Sequence, residues 1–259
     1  MKLTEEQLLQ NWNDLMSVID KTFEGERKDK LTEMYNYFRD RMMFAPASGF
    51  EHLHNCFIGG YVDHVLRVMK CAEQNYMLWK EMGSDCSGYT MEELLFVALN
   101  HDLGKVGDLE NNYYEPCTSE WHRKNQGRLY DSNKSIGHHM PVPHRSIFLL
   151  NHFGITMSQV EMIGILTHDG LYDDGNKPYF MNWADEKSLK TNLPLIMHHA
   201  DHMASRIEYE RWKSHKPVVN VQPKPKKKSW SNPSTAPKVS TSNQSAQDMF
   251  KNLFGDDKW

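Results

Sequence analysis

The chain has 259 residues, 39% of them hydrophobic, a formal net charge of −4 and a mean hydropathy of −0.70. That length allows one sizeable domain with appendages. No apolar run is long enough to span a bilayer, and the slightly acidic body excludes a general electrostatic attraction to nucleic acid.

From the N-terminus, Met1 to Gln7 lacks the apolar core of a signal peptide and reads as a helix start, with Thr4 as N-cap and Gln7 as its capping-box partner. Leu8, Trp12, Leu15 and Ile19 recur at helical spacing, and Leu31, Met34 and Phe38 repeat the pattern. These two helices predict an N-terminal helical hairpin over residues 1–44 that packs on a core domain spanning 45–212. Further helices are predicted from His64 to Trp79 and from Met91 to Leu103. Periodicity then fades across 104–143, which reads as an irregular lid or specificity insertion. Within it Tyr113, Tyr114, Trp121, Arg123, Lys124 and Arg128 are suited to stack on and neutralise a nucleotide, or else to pin the loop to the core. Helical patterns resume from His144 to Phe153 and from Ile163 to His168. The predicted fold class is all-α. Four cysteines (Cys56, Cys71, Cys86, Cys117) show no CxxC and no disulfide-scaffold density, which points to reduced thiols and a cytoplasmic location, or the host cytoplasm for a phage-encoded chain.

The chemistry concentrates at His101-Asp102, which end the apolar run Leu94 to Leu99. Two metal-competent side chains at the end of a buried helix need partners, since unpaired polar burial is costly. Candidate partners, each on or beside its own apolar stretch, are His64 upstream and His144, His168 and Asp201 downstream. Histidine nitrogens and carboxylate oxygens suit Fe or Mn, with Zn, Co, Ni or Mg as alternatives.

The order of these residues resembles the HD-domain metal-dependent phosphohydrolase superfamily, H…HD…H…H…D. Gly59-Gly60-Tyr61-Val62-Asp63-His64 is similar to that family's GG-x-x-x-H helix start. Ala200-Asp201 with Ala204-Ser205-Arg206 is similar to its final helix, and the motifs together cover about residues 45–212. Pro46 to His54 is similar to a segment of HD-type 3′–5′ exoribonucleases and relaxases; small HD nucleotide hydrolases are the other near likeness. The resemblance implies an HD-domain helical bundle around a metal site. Six ligands exceed what one catalytic ion takes while keeping an open position. Two divalent ions bridged by Asp102 account for the number better: His64, His101 and Asp201 would complete one ion, His144 and His168 the other.

Around these ligands, Asp102 and Lys105 are the catalytic candidates. Lys105, three residues after Asp102, faces the same side of a continuing turn and can hold a phosphate oxygen; the alternative is a solvated helix-end lysine. Arg145, Arg206, His139 and His54 join Lys105 as substrate-binding candidates. For the arginines the alternative is a surface ion pair, and for His54 a loop residue bonded to backbone. His138 and His139 compete with His144 for the ligand role; His144 is preferred because it opens a helical pattern.

Composition changes beyond Trp212. Residues 213–246 are rich in Pro, Lys and Ser, a disordered-linker signature, and carry the basic run Lys224 to Lys228. Residues 247–259 regain apolar side chains and read as a short amphipathic partner-binding tail. Gln247, Phe250, Leu253 and Phe254 match the Q-x-x-φ-x-x-φ-φ box and are similar to phage-type sliding-clamp-binding peptides; the alternative is a tail that folds back on its own domain. Three function classes follow: a phosphohydrolase acting on a nucleotide or nucleic-acid end, an HD-fold mixed-valent di-iron oxygenase, and a replication-associated binding module recruited by its tail.

Overall fold

Thr4 opens the first helix with the reciprocal cap that its sequence encodes: its hydroxyl accepts the Gln7 amide, and the Gln7 side chain accepts the Thr4 amide. The computed structural model describes residues 2–215; nearly all of the proposed linker, and the tail with Gln247, Phe250, Leu253 and Phe254, lie outside the described residues. Helices α1 (Glu5–Thr22), α2 (Gly25–Tyr37) and α3 (Arg39–Phe44) form the N-terminal part. Trp12, Leu15, Leu31, Met34 and Tyr35 enter the same buried cluster as Val65, Phe96, Leu149 and Ala204, so this part shares one core with the rest. Two polar ties strengthen the junction. Arg27 on α2 donates both terminal nitrogens to Glu161 at 2.7 and 3.0 Å, and Tyr35 Oη donates to the Leu99 carbonyl at 2.9 Å.

Helix α4 (Gly60–Glu81) begins at the Gly59-Gly60 pair for two separate reasons. Gly59 has φ +85°, a left-handed conformation that side chains disfavour, while a Cβ on Gly60 would lie 2.0 Å from the Asn55 carbonyl oxygen. Helix α5 (Met91–Asn100) starts with a Thr90–Glu93 capping box. It ends three residues short of the expected Leu103. Asp102 leaves helical geometry at ψ 10°, and the Gly104 amide donates to Ser146 Oγ at 2.8 Å instead of to the helix. A 3-10 turn, Leu103–Val106, follows.

The segment read as irregular is partly regular. Strands β1 (Tyr114–Pro116) and β2 (Tyr130–Ser132) pair antiparallel, with Tyr114 opposite Ser132, and helix α6 (Glu120–Gln126) lies between them. The molecule is therefore mostly helical with a small hairpin rather than wholly α. Three-residue strands carry too few alternations to register as a period. The hairpin is bound to the loop before α4: Leu129 and Tyr130 amides donate to the Gly49 carbonyl, and the Glu51 amide donates to Gly127.

Helices α7 (Val142–His152), α8 (Gln159–Thr167), α9 (Lys177–Phe180) and α10 (Leu193–Ser214) complete the described chain. Helix α10 runs along α4 and also touches α5 and α8, while α5 packs on α4 and α8, so these four helices form the centre of the molecule. Among the described residues no helix is long and apolar enough to cross a membrane.

Candidate metal centre

Four helices deliver one polar side chain or pair each to a common point. His64 comes from the start of α4, His101 from the C-cap of α5 with Asp102 next to it, His168 from the C-cap of α8, and Asp201 from the middle of α10. His64, His101, Asp102 and His168 are buried. Apolar helices that end on a histidine explain the arrangement: the helix body anchors in the core, and its last turn projects the imidazole inward.

Each imidazole is fixed through the same nitrogen. Nδ1 of His101 donates to the Ala98 carbonyl and Nδ1 of His168 to the Ile165 carbonyl, both at 2.8 Å and both to the residue three positions earlier. Nδ1 of His64 meets the buried Glu208 carboxylate at 3.1 and 3.2 Å. Acceptors on Nδ1 fix the proton there and leave Nε2 as a free lone pair, the arrangement that second-shell groups impose on metal-binding histidines. Nε2 of both His64 and His101 is buried without a hydrogen-bond partner, although carboxylate oxygens are close by.

The spacing of those atoms fits an ion. Nε2 of His64 lies 3.6 Å from Asp102 Oδ2 and 3.2 Å from Asp201 Oδ1; Nε2 of His101 lies 3.4 and 3.9 Å from the same two oxygens. Ligand atoms on one ion with bonds of about 2.0–2.2 Å lie about 3.0–3.5 Å apart; the His64–Asp201 and His101–Asp102 distances fall in that range, and the other two exceed it by at most 0.4 Å. His168 Nε2 is 3.7 Å from the other oxygen of Asp102, Oδ1. Asp102 thus turns one oxygen toward His64 and His101 and the other toward His168. His64, His101, Asp102, His168 and Asp201 fall into overlapping groups able to hold a metal ion, which His54 and Asp169 extend.

Charge is balanced within the cluster. Lys105 Nζ lies 2.6 Å from Asp102 Oδ2. Burial alone would raise the Asp102 carboxyl, but Lys105, His101 and His168 outweigh it and hold it well below the usual carboxylate range. Burial would lower His64, yet Glu208 and Asp201 raise it to about 10, so in the metal-free protein Nε2 also carries a proton, which a bound ion would displace. His54 behaves oppositely: burial, with the neighbouring Lys105, pushes it down to about 3.

The other sequence candidates separate clearly. His144, expected as a ligand, is exposed in the first turn of α7 and belongs to none of the four groups. Its neighbours Arg145 and Ser146 face inward instead, because they clasp the turn after Asp102. Ser146 Oγ bonds Gly104 and His101, and Arg145 donates to the Gly104 and Met140 carbonyls at 3.0 Å each. Those bonds, and a position 4.9 Å over the Tyr113 ring, occupy Arg145 structurally rather than leaving it for substrate. Arg206 is exposed and lies over Tyr209, and His138 and His139 are exposed. His54, by contrast, stacks on His64 with ring centres 4.6 Å apart and approaches Lys105 at 3.5 Å.

Compared with known proteins, the chain matches no family model, no curated protein and no solved structure.

Two contributors escaped the sequence reading. Glu208 follows Asp201 by seven residues on α10 and so shares its face; that spacing was the available signal. Asp169 repeats next to His168 the His-Asp pairing of His101-Asp102, again just past the end of an apolar helix, and its Oδ1 is 3.7 Å from His168 Nε2.

Proposed function

We propose that the chain is a metal-dependent phosphohydrolase that cleaves a phosphoester bond in a nucleotide or at a nucleic-acid end. The observation that carries this reading is the convergence of three histidines, each held through Nδ1 with Nε2 turned to the buried Asp102 or the half-buried Asp201. That donor set fits a divalent ion of the Fe, Mn or Zn type. His64, His101 and Asp201 form one group that would hold it, and His101, Asp102 and His168 form a second. When bound, such an ion supplies a Lewis acid and a water of lowered pKa. The protein's own residues bring the rest. Glu208 and the backbone carbonyls hold the imidazoles in the ligating tautomer, and Lys105 sets a positive charge at the edge of the site where a phosphoryl oxygen would bind. The hydrogen bonds from Arg145 and Ser146 keep the turn carrying Asp102 in place.

The test is a substrate panel on protein loaded with Mn or Fe: nucleoside mono- and triphosphates, cyclic nucleotides, RNA and single-stranded DNA, with phosphate or nucleotide release read directly. Release that a chelator stops and added metal restores supports the reading. No release from any member by protein with stoichiometric metal overturns it.

A second reading shares the same geometry. The two oxygens of Asp102 face different histidines, a disposition that would serve a phosphohydrolase and a mixed-valent di-iron oxygenase alike, so the reaction itself separates them. Oxygen consumption together with a mixed-valent iron EPR signal would select that reading, and their absence in iron-loaded protein would remove it.

A further inference from the structure

The hairpin and the loop that grips it enclose a cavity of about 280 Å³. One wall is the 47–54 loop with Phe50; the other is the hairpin with Tyr113, Tyr114 and Tyr130; Lys105 and His54 also line it. The last two link it to the metal cluster, since Lys105 contacts Asp102 and His54 stacks on His64. A second cavity of about 600 Å³ shares Lys105, Tyr113, Tyr114 and Tyr130 with it.

The lining has a definite chemistry. Tyr114 stands between two edge-on neighbours, Tyr113 at 4.8 Å and Tyr130 at 6.2 Å. Arg128 lies 5.8 Å over the Phe50 ring. The charged residues lining the smaller cavity are Lys105, paired with Asp102, and Arg128, paired with Asp131; among the described residues no carboxylate lines it. Flat rings beside cations suit a planar heterocycle joined to an anion. The volume limits the occupant: ligand pockets run from roughly 300 to 1,000 Å³, so this one lies just below that range, and a duplex does not fit it.

Building on the phosphohydrolase reading, we propose that this cavity seats one unstacked nucleotide, base among the tyrosines and phosphate toward Lys105. The nucleotide is either a free mononucleotide or the last residue of a single strand. The hairpin insertion then selects for the base, while the metal cluster handles the phosphate.

Nucleosides test the cavity separately from hydrolysis, because they carry no phosphoester. Binding of the four ribonucleosides, of ribose 5-phosphate and of single-stranded oligonucleotides to metal-loaded protein is measured by ligand-observed NMR and calorimetry. The proposal predicts nucleoside binding that ribose 5-phosphate does not match. Tyr114→Leu weakens it about tenfold or more, Tyr114→Phe restores it, and metal content is equal in all three proteins. Phe50→Leu, on the other wall, weakens it as well and carries the test should Tyr114→Leu fail to fold. A mononucleotide that competes with the nucleoside more strongly than an oligonucleotide of the same base identifies the free source; the reverse identifies a strand end. Absence of nucleoside binding, or equal binding by wild type, Tyr114→Leu and Phe50→Leu, overturns the proposal, even if phosphoesters lacking a base are hydrolysed. Nucleoside binding that depends on Tyr114 upholds it even if no phosphoester is cleaved.

Discussion

Glu208→Gln probes the tautomer argument with the smallest change of shape. Both carboxylate oxygens are in use: Oε1 accepts Arg67 Nε at 3.0 Å and lies 3.2 Å from His64 Nδ1, while Oε2 is 3.1 Å from the same Nδ1. Glutamine offers one acceptor oxygen and an NH2. If the oxygen keeps Arg67 and the NH2 takes the place of Oε2, a donor faces Nδ1, and unless Nδ1 shares the oxygen with Arg67 the imidazole moves its proton to Nε2. That tautomer cannot ligate. If the oxygen keeps His64 instead, the half-buried Arg67 loses an acceptor for Nε, at about 1–3 kcal/mol, though it retains Asp63 at 2.9 Å. Loss of an outer-shell partner of this type lowers metal affinity about 10–100-fold, or about 1.4–2.8 kcal/mol. Competition against a chelating fluorophore measures the affinity without reference to any substrate, and circular dichroism confirms the fold. Affinity within twofold of wild type would refute the claim that Glu208 sets the His64 tautomer.

Two further outcomes follow from the same geometry. His168→Ala should lower bound metal or weaken it by at least tenfold, whereas His144→Ala should leave metal content unchanged because His144 is exposed and outside the cluster; elemental analysis of the two variants decides this. Arg27→Ala strands the buried Glu161, whose carboxyl burial already raises above its ordinary range despite the Arg27 bond. The loss is about 3 kcal/mol, a fall in Tm on the order of 6–12 °C, and Arg27→Ala with Glu161→Gln should recover part of it in a thermal melt.

Much of this site was legible in the sequence because its ligands sit at the ends of strongly apolar helices. His101-Asp102 and His168 stand out since they interrupt buried stretches, whereas periodicity placed the start of α4 at His64 and the Gly59-Gly60 pair was read only through the family resemblance. His144 misled for a related reason. It opens a helix as expected, but a helix start gives no information on which side of the first turn faces the core, and Arg145 and Ser146 take that side. Glu208 was hidden because its role depends on tertiary proximity: it meets His64 across 144 positions of sequence. The hairpin was invisible at the level of periodicity, since its pairing depends on Gly49 and Glu51 from a distant loop.

The central claim is that the three histidines and two aspartates form a metal site with Asp102 at its centre. Metal content by elemental analysis, on wild type and Asp102→Ala purified side by side from metal-supplemented cultures, tests it most directly. The account predicts at least one ion per chain in wild type and none in Asp102→Ala, with both proteins folded by circular dichroism. A wild-type protein that binds no ion, or an Asp102→Ala protein that binds as much as wild type, would contradict it.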